Sequence, residues 1–165
     1  MLTKTTISAI RALLYLAQQE PESCLSPRKI AEAIGDSPTY LAKSLRLLVK
    51  AGILRAEKGV HGGVRLGRDP AQISLLAVVE TCQGTIIGDY CQSTHLPFSA
   101  LCSFHQAAEE LHRAITGVLS RWTLAALLER PHPPGGSEGG LRCLMAGRQP
   151  SRRPHGEPVV TAPGS

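Results

Sequence analysis

The sequence predicts a mainly α-helical protein with one small β-hairpin. Apolar residues recur at helical spacing in several segments, and a glycine-rich turn separates two short strand-like segments. Aromatic residues make up 4% of the 165 residues, so we expect a core of leucine, isoleucine, valine and alanine. No apolar run approaches the ~18–20 residues of a membrane-spanning helix, and Met1–Lys4 lack the order of a secretory signal. We therefore expect a cytoplasmic protein, with no membrane partner, of one small domain and appendages.

The first predicted helix covers roughly residues 4–19. Its apolar residues recur every three to four positions, which is the spacing of one side of a helix. This face consists of Ile7, Ile10, Leu13, Leu14 and Ala17. Pro21 follows, and a proline inside a helix removes a backbone hydrogen bond, so the helix is expected to end before it.

Two further helices are predicted close together. The pairs Ser26-Pro27 and Ser37-Pro38 each combine an N-cap residue with a proline at the first helical position. The first pair begins a short helix that ends at Gly35, and the second begins a helix that ends at Ala51-Gly52. The apolar stripe of this second helix consists of Leu41, Leu45, Leu48 and Val49.

A hairpin and three more helices are predicted after residue 52. Residues 53–57 and 64–66 have the character of strands on either side of the glycine-rich turn 58–63. Ser74 caps a short helix that runs to Cys82, and Ser103 begins a long amphipathic helix that ends near Trp122. A last short helix covers 123–130.

Charge and composition divide the chain into three parts. Residues 1–69 hold 11 basic and 6 acidic side chains, residues 70–130 hold 3 and 5, and residues 131–165 hold 4 and 2. The last part also contains 7 prolines and 7 glycines, so it cannot bury enough apolar surface to offset the entropy of ordering. We predict a basic first domain over 1–69, a second part over 70–130, and a disordered tail over 131–165.

The order helix, short helix, turn, helix and hairpin is that of a winged helix-turn-helix. Residues 37–68 hold seven basic side chains against Glu57 alone, which suits a polyanionic partner such as double-stranded DNA. In this fold the hairpin is called the wing. We expect basic and hydroxyl side chains of the helix that begins at Ser37-Pro38, and residues of the wing, to contact DNA. The candidates are Ser37, Thr39, Tyr40, Lys43, Arg46, Lys50, Lys58, His61, Gly62 and Arg65.

Two other interpretations of this basic segment are open. It could be a solvated basic helix beside a tight hairpin, without a nucleic-acid partner. It could also be a protein-interaction module that uses the basic helix on an acidic protein. An enzyme is not expected, because the chain has no carboxylate pair, no nucleophile elbow and no phosphate-binding loop. Residues 59–63 are rich in glycine but lack the Lys-Ser/Thr that follows in a P-loop.

The sequence resembles the Rrf-type winged-helix transcription regulators, which include IscR and NsrR. The resemblance covers about residues 1–130 and rests on motifs in the first helix, the recognition helix, the wing and the long helix. The motifs are Leu2-Thr3, Arg11–Ala17, Ile30-Ala31-Glu32, Tyr40-Leu41, Ala51–Leu54, Gly62–Leu66, Val79-Glu80, Cys102–His105 and Trp122–Ala125. It implies a cytoplasmic homodimer that binds an imperfect DNA palindrome, with the helix after Ser103 as the dimer element. Residues 1–69 would then be the DNA-binding domain, and residues 70–130 the sensor loop and dimerisation helix. Many members carry an iron–sulfur cluster whose redox state, loss or nitrosylation changes DNA affinity.

Three residues are candidate ligands of such a cluster. Cys91 lies in the loop before the long helix, and Cys102 and His105 lie at the start of that helix. Thiolates and imidazoles suit iron–sulfur clusters and zinc. His105 follows Cys102 by three residues, so both can face the same way on one helical turn. A [2Fe–2S] cluster on Cys91, Cys102 and His105 is therefore one hypothesis.

The chain departs from the family pattern at two positions in this region. The family usually has three cysteines in the loop, whereas residues 92–101 contain none. The carboxylate that some members use on the first helix is also absent, since Ile7 and Ser8 occupy that neighbourhood. The fourth ligand is thus unidentified, with His95, Asp89 and Cys82 as candidates.

The cysteines also allow three interpretations in which the protein holds no iron–sulfur cluster. Cys91 and Cys102 could form a reversible disulfide, which would make a thiol sensor. They could bind zinc together with His105, or they could be ordinary buried cysteines. A redox or metal carrier that does not bind DNA specifically is a further alternative for the whole chain.

Overall fold

The computed structural model describes residues 2–20, 22–59, 62–86 and 102–130, and it has the predicted mainly helical architecture with one hairpin. A short 3₁₀ turn at Pro70–Gln72, which the sequence analysis did not predict, follows the hairpin. In chain order the elements are α1 Lys4–Ala17, α2 Pro27–Ile34, α3 Pro38–Lys50, β1 Leu54–Glu57, β2 Gly63–Leu66, α4 Leu75–Gln83, α5 Ser103–Arg121 and α6 Leu124–Leu128.

Most helices begin with a side-chain cap. Ser26 accepts a hydrogen bond from the backbone N–H of Lys29 at the start of α2, and Ser74 caps α4 in the same way. Ser37 stands at the N-cap of α3 as predicted, yet its side chain makes no capping bond. Asp36 instead accepts a hydrogen bond from the N–H of Ser37, at 2.8 Å. The carboxylate of Asp36 thus satisfies a polar backbone group at this turn.

The core lies between α1, α2, α3 and the inner face of the hairpin. The predicted stripe of α3 is buried, with Leu41 and Leu48 at 0% and Leu45 at 2% exposure. Ala9, Leu13 and Ile30 are also completely covered. Residues after the hairpin join the same core, namely Ile73, Val78 and Leu124.

The hairpin is antiparallel and has a third backbone partner. Its register pairs Leu54 with Leu66, Arg55 with Arg65, Ala56 with Val64 and Glu57 with Gly63. The N–H of Leu25 also donates to the carbonyl of Val64 (3.1 Å), and the N–H of Val64 donates back to the carbonyl of Leu25 (2.9 Å). The loop before α2 therefore holds β2 against the helices.

The long helix α5 covers little of the described core. None of its 19 residues is buried, and Phe104, Leu111 and Val118 are 64%, 56% and 46% exposed. Its C-terminal end is anchored, because the N–H of Leu75 donates to the carbonyl of Trp122 (2.8 Å). Ser74 and Thr123 form an isolated β-bridge at the same place.

Some predictions fall outside the described residues. These are the loop residues 87–101 and the tail 131–165, so the predicted division at 1–69, 70–130 and 131–165 stays a prediction. Within the described ranges, none of the helices has both the length and the apolar character needed to cross a membrane.

Candidate nucleic-acid interface and thiol site

The outer face of α3 carries three free cations. Lys43, Arg46 and Lys50 are exposed and follow one another at intervals of three and four residues, so they share one side of the helix. None of the three has an ion-pair partner within the described part of the chain. The sequence analysis named these residues as DNA contacts, and the structure brings them together on one surface.

The start of α3 presents hydroxyl groups. Ser37 and Thr39 are exposed, and Tyr40 is 39% exposed. The hydroxyl of Tyr40 shares a hydrogen bond of 2.5 Å with the hydroxyl of Thr5 on α1. Tyr40 is therefore tied to α1, whereas Ser37 and Thr39 face the solvent.

Two hydrogen bonds from α1, which the sequence analysis did not predict, hold the turn between α2 and α3. The hydroxyl of Ser8 donates to the carboxylate of Asp36, and the guanidinium of Arg11 donates to the carbonyl of Ile34. Ser8 is 3% exposed, so this contact lies at the edge of the core. The only sequence signal for it is a pair of polar residues beside the apolar face of the first helix.

Arg68 fixes the other end of α3. Its Nε donates to the carbonyl of Gly52 (3.1 Å) and its Nη2 donates to the carbonyl of Ala51 (2.9 Å). A cation at a helix C-terminus satisfies free carbonyls and interacts favourably with the helix dipole. Arg68, which the sequence analysis counted only as part of the basic segment, is thus a capping residue of α3.

The wing carries both free and paired charges. Lys58 is exposed, whereas the Nε of Arg65 lies 2.7 Å from Oε1 of Glu57 and its Nη1 lies 3.5 Å from Oε2 of Glu22. The hydrogen bond from Arg65 lowers the pKa of Glu57, with a further contribution from the thiol of Cys24. Arg65, which the sequence analysis named as a DNA contact, is therefore paired with two carboxylates of the protein itself.

Gly62 and His61 complete the predicted wing contacts. A Cβ at Gly62 would lie 2.5 Å from the carbonyl oxygen of Glu57, so only glycine fits the turn without movement of the backbone. His61 lies outside the described residues.

Cys102 and His105 form a close pair at the start of α5. Cys102 is the exposed N-cap residue of this helix, and its Sγ lies 2.8 Å from Nδ1 of His105. The hydrogen bond with the imidazole lowers the pKa of the Cys102 thiol, and the backbone N–H of His105 acts in the same direction. The ring of Phe104 stands edge-on to that of His105, with 5.6 Å between centroids. The structure thus joins the two predicted ligands, while Cys91 lies outside the described residues.

The other described cysteines have different surroundings. Cys82 packs against the core, and burial raises the pKa of its thiol. Cys24 lies beside the wing, where burial and the carboxylate of Glu57 raise its pKa. A raised pKa disfavours the thiolate, which is the form that binds metals. Cys82 therefore suits a packing role better than the role of fourth ligand.

The described residues alone do not provide a complete metal site. Among them, no three or more His, Cys, Asp or Glu side chains are placed so that they could hold a metal ion together. Cys102 and His105 supply two donors of the right chemistry on one helical turn, which fits half of the ligand set of an iron–sulfur cluster or a zinc ion. Position 7 offers no donor on α1, since it is an isoleucine.

A polar contact connects the end of α4 with α1. Oε1 of Gln83 accepts hydrogen bonds from Oγ1 of Thr6 (3.0 Å) and from the backbone N–H of Thr3 (3.3 Å). Gln83 is the last residue of α4, directly before the segment that leads to Cys91. Helix α1 thus contacts both the start of that segment and the turn before α3.

Comparison with known proteins identifies the family. Residues 2–130 match the Rrf2 family, which is described as iron-dependent transcriptional regulators. The chain belongs to the Rrf2 family. It is 33% identical over 151 residues to the HTH-type transcriptional regulator NsrR of Geobacillus kaustophilus (strain HTA426), which covers 90% of this chain and 98% of that protein. The predicted family is confirmed, and the protein is a DNA-binding transcriptional regulator and not an enzyme.

Solved structures of Rrf2 regulators have the same fold. The cysteine regulator CymR of B. subtilis superimposes with a TM-score of 0.65 at 22% identity, over 78% of this chain and 96% of that one. IscR of T. potens superimposes with a TM-score of 0.63 at 26% identity, over 78% of this chain and 86% of that one. The predicted winged-helix architecture is confirmed by these likenesses.

Proposed function

We propose that this protein is a homodimeric, cytoplasmic regulator that binds an imperfect palindrome and responds to redox, iron–sulfur or nitrosative state. The observation that carries the DNA-binding part is the row of unpaired cations on α3, opposite its buried leucine stripe. An α-helix fits the major groove, where such side chains contact bases and phosphates. Lys43, Arg46 and Lys50 are assigned to this contact, with Ser37 and Thr39 at the helix start and Lys58 on the wing.

A heptad pattern on α5 supports the homodimer. Six apolar residues of α5 and its C-cap follow one another at alternating intervals of four and three, which is the spacing of a coiled-coil seam. The seam consists of Phe104, Ala108, Leu111, Ile115, Val118 and Trp122. Four of its large side chains, Phe104, Leu111, Val118 and Trp122, are 46–64% exposed in the single chain, and a second copy of α5 would cover them. A twofold dimer would place two copies of α3 one DNA turn apart, as a palindrome requires.

The sensor is assigned to Cys91, Cys102 and His105. We propose that they hold a [2Fe–2S] cluster together with a fourth ligand, supported by the adjacent Cys102 and His105 and by the iron-dependent family. Such a cluster supplies a redox-active and nitric-oxide-reactive centre when bound. In the protein itself, Cys102 and His105 would fix the first turn of α5, and Gln83 would connect the segment before it with α1.

A second candidate sensor has support of its own. The lowered pKa of the exposed Cys102 thiol favours the thiolate, which attacks disulfides and other oxidised sulfur. A disulfide between Cys91 and Cys102, or a zinc ion on the same donors, would then replace the cluster.

One experiment separates the sensors. Protein purified without oxygen, as wild type and as Cys102→Ala, is assayed for visible absorption, iron, acid-labile sulfide, zinc and free thiols. The cluster predicts iron and sulfide in equal amounts in the wild type and their loss in the variant. A colourless, iron-free wild type refutes the cluster, and its zinc and thiol contents then distinguish a zinc site from a disulfide.

A second experiment tests DNA binding. The wild-type protein selects duplexes from a random pool, and its affinity for a selected duplex is compared with that for a scrambled one. Lys43→Ala and Arg46→Ala are expected to weaken binding to both duplexes, with the larger loss where a base contact is removed. Unchanged affinity in both variants would refute the placement of α3 in the groove, and Glu129→Ala at the exposed end of α6 serves as the control.

A further inference from the structure

The outer face of the hairpin has an unequal distribution of charge. Strand residues of one parity share a face, so Arg55, Glu57 and Arg65 lie on the side opposite the buried Leu54 and Val64. Arg55 and Arg65 are direct partners in the register. Like charges directly opposite each other destabilise a strand pair unless a counter-charge compensates them. The side chain that Glu57 pairs with therefore decides whether Arg55 or Arg65 remains free to bind a ligand.

The two carboxylates in reach both pair with Arg65. Glu57 contacts it at 2.7 Å, diagonally across the hairpin, and Glu22 contacts it at 3.5 Å from the loop before α2. The backbone bridge between Leu25 and Val64 keeps this loop beside β2. The side chain of Arg65 is 22% exposed as a result. Arg65 is thus built into the contact between the wing and the helical core.

Arg55, unlike Arg65, is exposed and has no ion-pair partner in the described part of the chain. Its stem runs beside Gly67, where an added Cβ would lie 3.2 Å from Cγ of Arg55. The aliphatic part is therefore supported by the hairpin while the guanidinium remains in solvent.

We propose that Arg55 is the phosphate-contacting arginine of the wing, and that Glu57 and Glu22 withhold Arg65 from DNA. The proposal rests on the proposed DNA-binding function and names a residue within that interface. The ligand is the phosphodiester backbone of duplex DNA, which a free guanidinium binds in bidentate fashion. Arg65 then acts as a positioning residue that holds the wing against the loop before α2.

A salt titration tests this assignment. Binding to a mixed-sequence duplex of about 25 base pairs is measured by fluorescence anisotropy between about 50 and 200 mM KCl. Arg55→Gln is expected to reduce the slope of log K against log salt by about 0.9 for each protomer on the duplex, and Arg55→Lys to restore it. Arg65→Gln is expected to leave the slope unchanged and to lower the thermal midpoint, followed by circular dichroism.

The carboxylate pair is tested separately. The double variant Glu22→Gln/Glu57→Gln is expected to release Arg65 and to make the slope steeper, and adding Arg65→Gln to it should return the slope to the wild-type value. A reduced slope in Arg65→Gln, or an unchanged slope in folded Arg55→Gln, would overturn the assignment. A wild-type protein with no salt-dependent affinity for the duplex would instead refute the proposed function, so the two failures are distinct.

Discussion

Gly63→Ala is expected to detach the wing from the helical core. Gly63 begins β2, directly before the residue that pairs with Leu25. A Cβ at this position would lie 2.4 Å from the carbonyl oxygen of Leu25 and 2.9 Å from the backbone nitrogen of Ser26. Both are backbone atoms, so the overlap can be relieved only by moving the strand or the loop before α2.

The cost of that movement follows from the contacts it breaks. The bridge consists of two backbone hydrogen bonds, each worth about 0.5–1.5 kcal/mol net. Incomplete relief of the overlap adds about 1–3 kcal/mol of strain. We therefore expect Gly63→Ala to lower the free energy of unfolding by about 2–6 kcal/mol, a large part of the ~5–15 kcal/mol of a typical domain.

Urea unfolding followed by circular dichroism measures this loss, and a matched glycine provides the control. Gly117 lies inside α5, and a Cβ there would meet no atom within 4 Å. Gly117→Ala should stabilise the protein by about 0.8–1 kcal/mol through helix propensity. A Gly63→Ala variant within about 0.5 kcal/mol of wild type would refute the steric argument.

Three other variants test separate features. Leu111→Lys, in the middle of the apolar seam of α5, should yield a monomer by light scattering; a dimer at unchanged concentration dependence would contradict the seam. Arg68→Ala should lower the free energy of unfolding by about 1 kcal/mol through loss of the α3 cap, with an unchanged salt slope of DNA binding; a reduced slope would show that Arg68 contacts phosphate instead. The thiolate of Cys102 should form at lower pH than that of an ordinary cysteine, because His105 lowers its pKa, and His105→Ala should shift the alkylation profile to higher pH. Peptide-resolved iodoacetamide labelling by mass spectrometry measures that profile, and equal profiles would contradict the role of His105.

Most of the fold could be predicted because its signals are local. The leucine stripe of α3 recurs with the helical period, and Ser26-Pro27 carries its start signal within two residues. The same holds for Ser74 at α4 and for the glycines of the wing turn. Each of these features depends on neighbours in the sequence, so a single chain is sufficient to find it.

The polar contacts that orient α3 could not be predicted in this way. Arg68 reaches carbonyls 16 and 17 residues earlier, and Ser8 reaches Asp36 across 28 residues. Whether a cation is free or paired depends on such distant partners, as the difference between Arg55 and Arg65 shows. The sequence therefore locates the basic segment but cannot assign the task of each charge within it, and the DNA contacts stay a prediction.

The C-terminal end of α5 is anchored by backbone hydrogen bonds to the start of α4, and the length of the helix separates this anchor from the Cys102–His105 pair. Nineteen residues of α-helix span about 28 Å, so a tilt of about 5° at the anchored end displaces the thiol end by about 2.4 Å. The displacement grows with distance from the anchor, so the same tilt moves residues near Trp122 far less than Cys102. In the proposed dimer, a shift of the thiol end would therefore change the angle between the two copies of α5, while the leucine core beneath α3 lies on other elements.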